Sequence, residues 1–169
     1  MIRKRKNSIY DSKKGFVQGI VMIVIGLALF GIIGLAGYQI FSEVNDDIQA
    51  SDMQPIAKNQ IGDLHNRYPS TIDGAFLTVM VLMWILAMVA GYQADNNPLY
   101  LVVIILMMIF LLIGAGFMSN VWEDIASDDE FVEFADYFPF INFILQNFLL
   151  VSGVVAASVM GIMFMRSRV

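Results

Sequence analysis

The residues of this chain that could do chemistry fall into a few small groups, and each group has a simpler structural reading. His65 is the single histidine, and Asp63 lies two positions before it. An imidazole and a carboxylate are two metal ligands where a zinc site takes three or four. Both therefore read as polar groups of a loop that also holds Arg67, Tyr68 and Pro69. Asp128, Asp129 and Glu130 are consecutive acids. A calcium loop needs spaced oxygens and a turn glycine, whereas acids at a helix start complement its dipole. They read as a solvated cap. Asn142, Gln146 and Asn147 could line a polar pathway, but hydrogen bonding between helices is the simpler use. There is no cysteine, so disulfides, thiolate metal sites and thiol catalysis are excluded together. The expectation is a protein that is not an enzyme and holds no cofactor or metal.

The elements that carry these residues are apolar. Of 169 residues, 58% are hydrophobic and 15% charged, where soluble domains carry about a quarter charged residues. Four stretches, 16–41, 75–92, 99–118 and 141–165, contain no Asp, Glu, Lys, Arg or His. A run of about 18 or more such residues crosses the hydrocarbon core as a helix. The expected fold is all-α, a four-helix bundle in a membrane, with a basic arm over 1–15 and a four-span domain over 16–169. A secretory signal has an apolar region of only about 7–15 residues, so the first span is expected to stay in the mature protein. Lys13-Lys14-Gly15-Phe16 is similar to the leader of archaeal pilins, against which the three further spans argue.

Charge sets the expected threading. Eight of the ten basic residues lie at the two ends: Arg3, Lys4, Arg5, Lys6, Lys13, Lys14, Arg166 and Arg168. Thirteen of the fifteen acidic residues lie in two loops, 42–74 and 119–140. Basic residues near span ends are retained on the cytoplasmic side. Both termini are therefore expected on that side, and both acidic loops on the other. Intramembrane ionisable residues mark proton and ion paths. The spans have none, and small four-span drug exporters use a membrane-embedded Glu for which this chain has no counterpart.

Small residues suggest where helices meet. Gly19, Gly26, Gly34 and Gly37 fall on one face of the first span at about 100° per residue. Gly153, Ala157 and Gly161 repeat at four-residue spacing in the last span, and Ala87 and Gly91 do so in the second. Small residues let backbones approach closely where lipid supplies no hydrophobic drive. The first and fourth helices are expected to pack together and the third to face lipid.

The loops carry structure of their own. Ser42–Ala50 continues the first helix until Pro55 stops it, and Ser70 or Thr71 caps the second span. Ser127-Asp128-Asp129-Glu130 has the form of a capping box. Phe131, Phe134, Ala135 and Phe138 follow at helical spacing. The expectation is a short amphipathic helix over 128–138, its rings at headgroup depth beside Trp122 and Tyr137.

Ser119-Asn120-Val121-Trp122-Glu123-Asp124-Ile125-Ala126, the helix to Phe138-Pro139, and the stretch Asn142 to Leu150 resemble parts of small multispan proteins of archaea and of viruses that carry a membrane. The resemblance covers roughly residues 74–165. It implies a structural part of a virion or envelope membrane and transfers no site residue. The function expected is a structural membrane component of a larger assembly, touching the bilayer and other protein subunits. Its basic arm would meet nucleic acid or an inner protein shell. The alternative is a small pore-former, holin-like, or a transporter subunit.

Overall fold

The computed structural model describes residues 3–93 and 98–166, with side-chain surroundings from residue 25 onward except at 90, 93, 98–101, 103, 104, 107 and 166. Six helices follow one another: α1 (Arg3–Ala50), α2 (Pro55–Gln93), α3 (Pro98–Ala126), α4 (Val132–Ala135), α5 (Pro139–Gln146) and α6 (Phe148–Arg166). Among the described residues, four helical stretches are long and apolar enough to cross a membrane: Ile25–Ala50, Pro55–Val89, Met108–Ala126 and Phe148–Met165. The chain is an all-helical, multi-pass membrane protein by that measure.

At 1.5 Å per residue, the 48 residues of α1 extend about 72 Å and the 39 of α2 about 58 Å. Both overrun a hydrocarbon core of about 30 Å. The first helix continues through 42–50, as its sequence suggested, and Pro55 starts α2 where its missing N–H costs nothing. The hairpin between them is cross-linked reciprocally. Lys58 Nζ donates to the Gln49 carbonyl at 2.8 Å and Gln49 Nε2 donates to the Lys58 carbonyl at 3.0 Å. The ammonium thus sits at the negative end of α1.

Neither Ser70 nor Thr71 caps a helix, because α2 runs through Pro69 without a break. Their hydroxyls donate to the Arg67 carbonyl at 3.1 and 2.9 Å. The expected helix over 128–138 shrinks to Val132–Ala135. Ser127 turns back to donate to the Glu123 carbonyl at 2.7 Å, which closes α3 instead of opening a capping box. Ala135 and Phe138 are buried in the bundle, as is Trp122, so these side chains are core and not a headgroup belt.

Helix pairing also differs from the expectation. α1 packs chiefly on α2, while α6 packs on α3 and α2. Of the fourth apolar stretch, its first part, α5, meets α1 closely at Gly31, whereas among the described residues α6 packs on α3 and α2 instead of on α1. The third span contacts α6 and α5 on one side. It exposes Val102, Ile105, Leu106, Ile109, Phe110, Ile113 and Phe117 on the other. These seven positions fall within about 140° of one another at helical spacing, so among the described residues the large apolar side chains open to lipid share one face.

The fourth apolar stretch is two helices. Asn147 separates them with φ −103° and ψ 27°. Its side-chain amide donates to the Phe143 carbonyl at 2.8 Å, so it bonds locally and not across the bundle.

Candidate functional site at the α5 junction

The first turn of α5 has no cap of its own. Phe138 occupies the cap position and offers no side-chain acceptor, and Pro139 has no N–H to satisfy. The Asn142 N–H bonds to the Phe138 carbonyl at 2.8 Å. Two donors remain, and both point to one carboxylate. Phe140 N donates to Asp73 Oδ2 at 3.0 Å, and Ile141 N donates to Asp73 Oδ1 at 2.7 Å. Asp73 is 3% exposed and belongs to α2. A distant residue therefore performs the capping that helix starts require, and its charge complements the dipole of α5.

The middle and end of α5 are tied to α3. Trp122 Nε1 donates to Asn142 Oδ1 at 3.0 Å. Ser119 Oγ donates to the Gln146 carbonyl just before the break at Asn147. Asn142 thus forms a bond between helices, whereas the Gln146 side chain is exposed. Three fastenings from two spans hold eight residues.

An aromatic group closes the same end. Tyr38, buried in α1, stacks on His65 with ring centres 5.0 Å apart and on Tyr68 at 5.8 Å. Phe134 and Phe138 meet it edge-on at 5.8 and 5.6 Å, and Tyr137 meets it at 5.5 Å. His65 is on α2, where two positions turn about 200°. Asp63 is therefore on the opposite, exposed side and does not join it. Among the described residues no group of three or more His, Cys, Asp or Glu is arranged to hold a metal ion. Asp128, Asp129 and Glu130 are all exposed, and Asp128 Oδ1 accepts the Glu130 N–H at 2.9 Å.

The small residues separate by position. A Cβ on Gly34 would stand 2.9 Å from Ile72 Cγ2, and one on Gly37 would stand 2.6 Å from the Tyr68 hydroxyl. Both face α2. Gly153 faces Leu112 of α3 at 3.9 Å, Gly26 and Gly161 face open space, and Ala157 is exposed. As contacts within the chain, Gly26 and Gly161 make no close approach. The surroundings of Gly19 and the side chains of Arg3, Lys4, Arg5, Lys6, Lys13 and Lys14 lie outside the described residues.

Sequence reasoning missed two residues that matter most here. By sequence Asp73 falls among the loop acids, and Gly31 lies off the face that Gly26, Gly34 and Gly37 share. Gly31 meets Leu145, Ile141 and Trp122. A signal for Asp73 existed: Phe138-Pro139 opens a helix with no Ser, Thr, Asp or Asn to cap it. That start needs an acceptor from elsewhere.

No protein-family model, curated protein or solved structure matches this chain.

Proposed function

We propose that this protein is a structural integral membrane component of a larger membrane-associated assembly. A virion or envelope membrane is the setting its sequence resemblance points to. The observation that carries the reading is the use made of polar groups between helices. Asp73, Trp122, Asn142 and Ser119 are engaged in fastening α5 to α2 and α3. Groups locked in such bonds hold a shape, and fixed shape is what a scaffold contributes. The test is reconstitution in sealed vesicles loaded with a small dye. A scaffold leaves the dye inside, whereas dye release in proportion to protein would favour the pore-forming alternative.

In this proposal both termini lie on the cytoplasmic side, because the terminal basic residues oppose two acidic loops. The chain has no cysteine, so single cysteines at Ser8, Ser51, Ser127 and Ser167 can be labelled with an impermeant reagent. In sealed, right-side-out membranes, Ser51→Cys and Ser127→Cys are expected to label and the other two to be protected. Labelling of Ser8→Cys or Ser167→Cys from outside would overturn the threading.

The basic arm is then the contact with an acidic partner, nucleic acid or an inner shell. Replacing Arg3, Lys4, Arg5 and Lys6 by glutamine leaves Lys13 and Lys14 to hold orientation. Incorporation into the assembly is expected to fall, and the wild-type contact to weaken as salt rises. Unchanged incorporation would reduce the arm to a lipid anchor, worth about 1 kcal/mol per basic residue.

A further inference from the structure

The α1–α2 hairpin stands well clear of the bilayer. Gly34 meets Ile72, Gly37 meets Tyr68, and Gln49 and Lys58 are bonded, which fixes the register of the two helices. In that register Ala75, where the uncharged stretch of α2 begins, is level with Gly31 of α1. Trp122 of α3 also meets Gly31, and the exposed Glu123 and Asp124 follow it. Three helices thus place the edge of the hydrocarbon core near Gly31, since carboxylates are costly inside it. Ile40 and Val44 lie about 14 and 20 Å past that level, and Leu64 about 17 Å past Ala75. The headgroup layer adds about 5–8 Å per side.

These three side chains are nonetheless open: Ile40 is 63% exposed, Leu64 61% and Val44 44%. They share one flank. Gly31 and Asp73 turn toward α5. At 100° per residue, Ile33, Ile40 and Val44 point about 140–180° away from Gly31, and Leu64 points about 180° away from Asp73. Leu64 stands level with the gap between Ile40 and Val44. The flank continues into the membrane through Gly26, about five turns below Val44 and with nothing within 4 Å, and through the exposed Leu82, about five turns from Leu64.

Lipid does not cover apolar side chains that far from hydrocarbon, and apolar surface rimmed by polar groups marks a contact with protein. The projecting flank, two helices each about 10 Å across and about 27 Å long, covers on the order of 500 Å². Its continuation past Gly26 and Leu82 brings it toward the roughly 800 Å² per partner of a standard interface. Two copies in one membrane stand the same way up, so a two-fold axis along the membrane normal lays flank on flank, α1 of one copy against α2 of the other. Glu43 and Arg67 lie about 60° beyond Ile40 and Leu64, at the two outer edges of the flank, and differ in height by about 6 Å. Both are exposed. The two-fold brings Glu43 of each copy to Arg67 of the other, so opposite charges meet at both edges. We propose that this flank of the hairpin is closed by a second copy of the chain. The proposal rests on the spans crossing a membrane and not on the scaffold reading, which the dye test decides separately.

The test is sedimentation equilibrium of the purified full chain in density-matched detergent micelles. Wild type is expected to be a dimer. Ile40→Glu and Leu64→Glu put a carboxylate into the contact, and each is expected to weaken dimerisation at least tenfold while helix content is retained. Arg67→Glu is expected to weaken it several-fold, and Glu43→Arg together with Arg67→Glu to restore it, a rescue that general damage to the fold would not give. Should both apolar variants misfold, the charge exchange decides alone. A wild-type chain that stays monomeric would overturn the proposal and leave the flank to a different protein. So would a dimer that folded Ile40→Glu and Leu64→Glu variants leave unchanged.

Discussion

Asp73→Ala is expected to lower the stability of the fold by about 3–6 kcal/mol, since hydrogen bonds to a charged group contribute about 1.5–3 kcal/mol each and two are lost. The carboxylate is 3% exposed, and its oxygens take the N–H groups of Phe140 and Ile141 at 3.0 and 2.7 Å. Alanine leaves both donors without an acceptor, the Ile141 N–H at a buried position. Nothing nearby in sequence can substitute, because Phe138 and Pro139 have no side-chain acceptor. Asp73→Asn keeps one carbonyl oxygen and loses the charge beside the helix dipole, so its loss is expected to be about half as large. Unfolding in mixed micelles with rising dodecyl sulfate, followed by circular dichroism, measures both variants. An Asp73→Ala protein within about 1 kcal/mol of wild type would show that α5 is held by packing alone.

The consequence for assembly follows from the same bonds. α5 carries Ile141, Ile144 and Leu145 into the core shared by α1 and α3. Releasing its first turn would loosen Tyr38 as well, because Phe138 beside that turn meets the Tyr38 ring. A variant that folds but frays here is therefore expected to lose incorporation into the assembly proposed above before it loses membrane insertion, which four spans secure.

The long elements were legible because they rest on local information. Uncharged length places the spans, and Pro55, which cannot continue a helix ladder, marks where α1 has ended and α2 opens. What was not legible depends on how each helix is rotated about its axis. Gly26 and Gly34 share a face by spacing, yet Gly34 meets Ile72 and Gly26 meets nothing within 4 Å. The two positions lie about 80° apart around α1, and beside Gly26 it is Leu27 and Ala28 that are buried. The phenylalanine stripe after Asp128 misled for a related reason. Its residues bury against Tyr38 by turning through short irregular backbone, so helical spacing did not require a helix. Asp73 was hidden by distance, since its partners lie 67 and 68 positions further along the chain.

Glycine substitutions turn that difference in rotation into a measurement. A Cβ on Gly31 would lie 2.5 Å from Leu145 Cδ1, 3.2 Å from Ile141 Cγ2 and 3.6 Å from the Trp122 ring. Ile141 and Leu145 are both fully buried, so neither has free space to move into. Gly31→Ala is expected to cost about 1–3 kcal/mol through overpacking, and Gly31→Leu to prevent the native packing. Gly91→Ala belongs to the same class, because its Cβ would press Val159 Cγ1 at 2.8 Å with the Val159 carbonyl at 3.5 Å. Gly26→Ala is expected to change stability by no more than about 0.5 kcal/mol, as substitutions into open space do. The unfolding assay used for Asp73 ranks the three. Equal losses at Gly26 and Gly31 would remove Gly31 from the tight contact with α5. Gly26→Leu asks a separate question of the open face. Normal stability with lost assembly would assign that face to a second copy or another subunit, whereas normal stability with normal assembly would leave it to lipid.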